Sequence, residues 1–212
     1  MRGTLCALAL LLFAAGCGGG GDDEPATAGS DCETVEAPAA RDAPTVSPPE
    51  GTLDPSKEWA LTFETTCGSF TVELDLALAP ETTASLVSLA REGFYDDTVF
   101  HRIVPGFVIQ GGDPTQTGTG GPGYATLDVP PTSVRYTKGT VAMAKSGFEP
   151  AGTAGSQYFV VTGDDVRLAP EFAVVGRVGE GLDVVEQIGK LGDEEEKPTQ
   201  PVVVRSVTVT EG

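Results

Sequence analysis

Residues 100–114 read FHRIVPGFVIQGGDP. Two short runs of branched and aromatic residues flank Pro105-Gly106, the pattern of two strands joined by a tight turn. Arg102 and Gln110 stand inside those runs. Successive side chains of a strand point to opposite faces, so a wet sheet face would account for both. The other account is that they line an apolar pocket and act on something bound there. The rest of the chain decides between the two.

On either side the chain is mostly short strands. Residues 59–65 (WALTFET) and 69–76 (SFTVELDL) alternate and are split by Cys67-Gly68, which predicts a hairpin. Residues 80–92 (PETTASLVSLARE) predict a helix. Proline suits its first turn, Leu86, Leu89 and Ala90 recur at helical spacing, and Gly93 ends it. Further strands are expected at 98–104, 107–112, 139–144, 157–162 and 172–178. A short helix is expected at 182–188 (LDVVEQI), ending at Gly189, and a closing strand at 201–210 (PVVVRSVTVT). This pattern predicts a mainly β fold, a closed eight-stranded antiparallel barrel capped by two helices. The regular strand–helix alternation of a parallel α/β sheet is missing.

Composition excludes several kinds of chemistry. The 212 residues carry 31 acidic against 13 basic side chains, a net charge of -18. With no basic stripe to override that charge, nucleic acid is not an expected partner. The single histidine, His101, argues against multi-histidine zinc sites, and by alternation it points away from the face of Arg102. There is no G-x-S-x-G elbow for a serine hydrolase. The run GTGGPG at 118–123 lacks the Lys-Ser/Thr and the helix of a phosphate loop. The acidic run DEEE at 193–196 reads as a solvated loop.

The N-terminus has a different character. Residues 5–15 (LCALALLLFAA) form an apolar run of signal-peptide length, too short to span a bilayer as a helix. It ends in AAGC, which resembles the lipobox of bacterial lipoproteins. In that class the signal is cut before the cysteine, whose sulfur carries diacylglycerol. The resemblance implies a signal peptide over 1–16, a lipidated Cys17 and a chain on the extracytoplasmic face of the cell membrane. Residues 17–57 are rich in Gly, Ala, Pro, Asp and Glu and predict a disordered linker. The folded domain is expected over 58–212. Cys6 would leave with the signal and Cys17 would be acylated. That makes Cys32 and Cys67 a candidate disulfide in an oxidising compartment.

Four blocks in order carry a family resemblance: FHRIVPGFVIQGGDP, then GTGGPGY at 118–124, GTVAMAKSG at 139–147 and GSQYFVVT at 155–162. Together they resemble the cyclophilins, over residues 58–212. The resemblance implies an eight-stranded barrel with two helices and isomerisation of the bond before proline, with no metal or cofactor. It implies that Arg102 is the catalytic guanidinium and that Gln110 holds the substrate backbone and positions Arg102. Phe107, Val108, Phe159, Leu168 and Phe172 would enclose the proline ring. Ala144, Lys145 and Gln157 would line the adjoining groove, with Gly118 and Thr119 on its far rim. Proline-containing polypeptides are the implied partners, met by a monomer. The chain departs from many members at Val108 for methionine and Lys145 for asparagine, and from eukaryotic members at Arg167 for tryptophan and Phe172 for histidine.

Two functions of different class follow. One is a membrane-tethered isomerase that assists the folding of exported proteins. The other is a peptide-binding module or holdase on the same scaffold. The intact Arg102 favours the first. It also answers the opening question, because a hydrogen-bond donor works more strongly where water is excluded.

Overall fold

A computed structural model describes residues 32–212. The expected signal peptide, Cys17 and the first part of the expected linker lie outside the described residues. In chain order the strands are β1 (Trp59–Thr65), β2 (Gly68–Leu74), β3 (Thr98–Val99), β4 (Arg102–Val104), β5 (Val108–Gly111), β6 (Thr126–Leu127), β7 (Thr140–Met143), β8 (Thr153–Ala154), β9 (Tyr158–Val161), β10 (Val174–Glu180) and β11 (Val203–Glu211). The helices are α1 (Pro80–Arg91), between β2 and β3, and α2 (Leu182–Ile188), between β10 and β11.

The alternation of the first hairpin explains its place. Trp59, Leu61 and Phe63 point inward from β1, and Phe63 faces Phe70 of β2 across the ladder. Their rings stack at 4.8 Å. β11 pairs with the other edge of β1 over seven residues. Nine strands form one antiparallel sheet in the order β3-β11-β1-β2-β10-β7-β9-β5-β4.

The expectation of a closed ring of eight strands is corrected here. The predicted strand 98–104 divides in two, because Phe100 turns its N–H to Val202 O at 3.0 Å. Its first half, β3, pairs with β11, and its second half, β4, pairs with β5. The two sheet edges are therefore joined by only Phe100 and His101, and no ladder links β3 to β4. The result is a strongly curled half-barrel. A separate pair, β6 with β8, was not expected, since two-residue strands have no readable period.

Helix α1 has no side-chain cap of its own. Asp128 supplies one from beyond β6, accepting from Thr82 N at 2.7 Å and Thr82 Oγ1 at 2.6 Å. A carboxylate at a helix N-terminus is favoured by the unpaired N–H groups there.

The interior divides in two. Leu61, Phe63, Phe70, Leu89, Phe100 and Tyr158 belong to the main core. Val108, Tyr136, Ala142, Phe159, Val161 and Val174 form a second apolar cluster. Strands β5, β7 and β9 contribute alternately to both. Ile109, Val141, Met143, Tyr158 and Val160 face the main core, while Val108, Ala142, Phe159 and Val161 face the second. A sheet with both faces apolar reads as continuous hydrophobic runs, as in YFVV.

The linker expectation is also corrected for residues 32–57. They form no helix or strand, yet they lie along the folded domain as a strap. Cys32 and Cys67 are joined by a disulfide. Glu33 N bonds Thr66 O at 2.7 Å, and its carboxylate pairs with Arg205. Further on, Trp59 Nε1 donates to Asp54 O at 3.1 Å. Backbone bonds, a few side-chain bonds, one covalent link and isolated apolar contacts such as Val46 and Leu53 hold the strap, so it shows no apolar period.

Candidate active site

The second apolar cluster reaches the surface beside the β4–β5 hairpin. Arg102 faces Gln110 across that ladder, Gln110 faces Phe159, and Phe159 faces Ala142. These four therefore share one face of the sheet. Phe107, Leu168, Phe172, Val104 and Ala144 pack around the cluster, each partly buried. The structure thus brings Phe107, Val108, Phe159, Leu168 and Phe172 together as one apolar wall.

Phe172 is fixed precisely where the sequence offered no signal. Tyr136 Oη donates to Phe172 O at 2.8 Å and accepts from Phe172 N at 3.1 Å. The Phe172 ring meets Phe159 edge-on at 5.5 Å and Tyr136 at 6.1 Å. Tyr136, unremarked in the sequence, is the support of this wall.

Arg102 lies at the lip of the cluster and is held from two sides. Its Nε donates to Glu196 Oε2 at 2.7 Å, and its Nη1 donates to Gln110 Oε1 at 3.4 Å. Glu196 is itself anchored, because Ile103 N donates to its carbonyl at 2.9 Å. Its φ of 64° lies in the left-handed region, costly for a residue with a Cβ. Asp193 shapes this loop by accepting from Glu195 N and Lys197 N at 2.9 and 2.8 Å. All four residues of DEEE are exposed, as the solvated reading expects, and Glu196 in addition contacts the candidate catalytic guanidinium.

From Gln110 the polar chain continues. Gln110 Nε2 donates to Gln157 Oε1 at 3.1 Å, and Gln157 Nε2 donates to Gly120 O at 3.0 Å. These groups line a groove of about 630 Å³, with Gly118 and Thr119 on one side and Ala144 and Lys145 on the other. A larger cavity of about 1010 Å³ lies against β1, β2 and β10, and none of the candidate residues lines it.

The far rim is organised by Asp113. It accepts from Thr115 N at 2.8 Å, Gly118 N at 2.7 Å and Gly120 N at 3.1 Å. Burial by itself would raise its pKa, and is the largest single influence. Together the hydrogen bonds from Thr115, Gly120 and Gly118 outweigh it and hold the carboxyl below its ordinary value. A Cβ on Gly120 would come within 2.1 Å of Asp113 Oδ1, so only glycine fits this turn. At Gly112, with φ 85°, a Cβ would meet Ser156 O at 2.5 Å.

Lys145 brings no free charge to the groove. Its side chain is 4% exposed and pairs with Glu171 at 3.2 Å. It also donates to Ser146 O and Glu149 O and lies 5.6 Å over the Phe172 ring. His101 points away from this face toward Gly118, where a Cβ would lie 3.7 Å from Nε2. Burial, with Arg102 adding to it and Asp113 opposing, pushes the imidazole pKa down. Among the described residues no group of three or more His, Cys, Asp or Glu could hold a metal ion.

Comparison with known proteins agrees with this geometry. The family described as Cyclophilin type peptidyl-prolyl cis-trans isomerase/CLD matches residues 60–209. A peptidyl-prolyl cis-trans isomerase-like 1 of Aspergillus oryzae is 38% identical over 156 residues, covering 71% of this chain and 95% of the relative. Peptidyl-prolyl cis-trans isomerase A of Mycobacterium tuberculosis is 38% identical over 168 residues, covering 70% and 91%. The crystal structure of a cyclophilin type isomerase from Cryptosporidium parvum superimposes with a TM-score of 0.67 at 27% identity, covering 73% of this chain and 99% of that one. The same protein in the presence of the dipeptide Ala-Pro gives 0.66, also at 27% identity, covering 72% and 99%. The chain belongs to the cyclophilin-type peptidyl-prolyl cis-trans isomerases.

Proposed function

We propose that this isomerase works through Arg102 on proline-containing polypeptides, and that its clients are exported proteins met at a bacterial membrane surface. In this reading it is a monomer tethered by lipid on Cys17. The observation that carries the catalytic part is the guanidinium held by Glu196 and Gln110 at the lip of an apolar cluster.

Peptide C–N rotation is resisted by about 18–20 kcal/mol, because the nitrogen lone pair is shared with the carbonyl. Before proline the two isomers differ by only about 0.5–1 kcal/mol yet exchange in tens to hundreds of seconds. The task is therefore to lower a barrier, with no bond to break. The proline ring enters the wall of Phe107, Val108, Phe159, Leu168 and Phe172 and is held there. Gln110 bonds the substrate backbone, and Ala144 and Gln157 guide the residues before proline along the groove. The carbonyl side then turns about the fixed ring. At the twisted state the lone pair returns to nitrogen, which becomes pyramidal and accepts a hydrogen bond. With Nε and Nη1 engaged, Arg102 offers its remaining N–H groups to that nitrogen. The planar ground state accepts such a bond poorly, so the interaction selects the transition state.

The extracytoplasmic part is supported by the apolar run ending in AAGC and by the disulfide, which belongs to oxidising compartments. A single acyl chain holds a membrane only marginally, whereas two or more hold firmly. Mass spectrometry of the membrane fraction tests it. The expected result is a lipid-modified N-terminal peptide beginning at Cys17. A soluble, unmodified chain cut elsewhere contradicts it.

A further inference from the structure

The strap touches the domain at one place above all. Gln116 Nε2 donates to Pro38 O at 2.9 Å, Arg41 N donates to Pro114 O at 3.1 Å, and Val46 N donates to Pro122 O at 3.1 Å. These three bonds span the loop that begins at Pro114 and ends at Pro122, and Gly118 and Thr119 lie within it. Thr45 packs tightly against its end, since a Cβ on Gly123 would lie 3.1 Å from Thr45 Cγ2. The strap is fixed in turn by Arg41, whose Nη2 donates to Phe94 O at 2.7 Å and Asp96 O at 3.0 Å.

We infer that the strap, anchored by Arg41, sets the position of the glycine-rich groove rim and thereby tunes affinity for the residues that precede proline in the substrate. The inference rests on the reading of this groove given under Proposed function. Three glycines among residues 118–121 leave the rim little conformational preference of its own. Asp113 gathers its N–H groups at one point. The strap holds its two ends and its middle, where Gln116 sits at a φ of 59° and needs support. From the rim, Gly120 O holds Gln157, which lines the groove, while Arg102 keeps its own tether to Glu196. Arg41 is a positioning residue in this scheme and touches no substrate. A rim that wanders weakens contact with an extended peptide. A substrate reduced to alanyl-proline needs only the apolar wall and Arg102, and does not register the change.

The test compares two probes on the intact chain by NMR exchange spectroscopy at varied peptide concentration. One is N-acetyl-alanyl-proline methylamide, and the other is a peptide with three residues before the proline. Arg41→Ala is expected to raise KM for the longer peptide about three- to tenfold, the equivalent of one net hydrogen bond. Its kcat and the rate on the short probe stay at wild-type values. Arg41→Lys recovers part of the affinity, and Gln116→Ala reproduces the loss from the loop side. Unchanged KM in both variants, or equal losses on both probes, overturns the inference. If Arg41→Ala does not fold, Gln116→Ala decides alone. Failure of the wild type to accelerate exchange in either probe overturns the underlying reading instead, a distinct result.

Discussion

Glu196 holds the Nε of Arg102 at 2.7 Å across a sequence separation of 94 residues. The two side chains are 48% and 36% exposed, so as a stabilising pair they are worth only about 0–1 kcal/mol. The value of the contact lies in orientation. A guanidinium tethered at Nε and Nη1 presents its other N–H groups in a fixed plane, and a fixed donor loses less on meeting the transition state. Glu196→Ala should therefore lower kcat about three- to tenfold, the range of one ordinary net hydrogen bond. KM and melting temperature should hardly move. In an Arg102→Ala background the same substitution should cost nothing further, because the two act as one unit. Additive losses in steady-state assays of the four proteins would show that Glu196 acts through something other than Arg102.

Phe159 and Phe172 occupy the same wall with different burial. Phe159 is 5% exposed, and truncating such a ring typically costs about 3–5 kcal/mol. Phe172 is only partly buried against the cluster. Phe159→Ala should lower the denaturation midpoint strongly, whereas Phe172→Ala should chiefly raise KM. Urea titrations paired with peptide kinetics separate the two effects.

The Cys32–Cys67 bridge closes a loop of sequence separation 35. Loop-closure entropy assigns such a link about 3–4 kcal/mol. The double variant Cys32→Ser/Cys67→Ser should lose stability of that order in denaturant, while thiol titration of the unreduced protein should find neither Cys32 nor Cys67 free.

Acid should destabilise the fold in two stages. Burial is the main cause that holds His101 below the ordinary imidazole value of 6.5. The folded state thus binds that proton less readily than the unfolded chain. Its contribution to stability is complete above 6.5 and is lost as pH falls from there through the folded pKa. Asp113 is also depressed, below 3.8, so its contribution is complete above that value and is lost as pH falls through the folded pKa. Melting temperature should be level from pH 7 to 8, decline below 6.5, and decline again below 3.8. His101→Asn should remove the first decline alone. Catalysis should be level between pH 6 and 8, because arginine stays charged throughout.

Much of this was legible in the sequence, and the gaps have physical causes. The hairpin of β1 and β2 and both helices follow local periodicity, so alternation, Pro80 and the closing glycines Gly93 and Gly189 reveal them. Residues 98–104 (TVFHRIV) form one strand-like run with no turn residue inside it, and only the bond from Phe100 to Val202, a tertiary contact, divides them. Arg102 and Gln110 stand out because a charge and an amide interrupt apolar runs. Glu196 does not, since one acid among four in a loop looks like its solvated neighbours. Asp113 lay inside the quoted stretch, but its N–H partners come from a glycine loop whose turn the sequence does not display. Lys145, where many members carry asparagine, adds no free charge to the groove because Glu171 pairs with it, a contact that sequence spacing does not show. The strap follows no period because scattered backbone and side-chain bonds and one disulfide hold it, not a repeating apolar face.

The most direct measurement of the account is the exchange rate of a Xaa-Pro peptide by NMR, with the wild type and with Arg102→Ala at equal concentration, circular dichroism confirming the fold of both. The account predicts that wild type accelerates exchange without added metal or cofactor. It predicts that Arg102→Ala loses about a hundredfold or more in kcat, the usual cost of one preorganised donor. Equal exchange rates for the two proteins would contradict it, and would leave a peptide-binding module in place of an enzyme acting through Arg102.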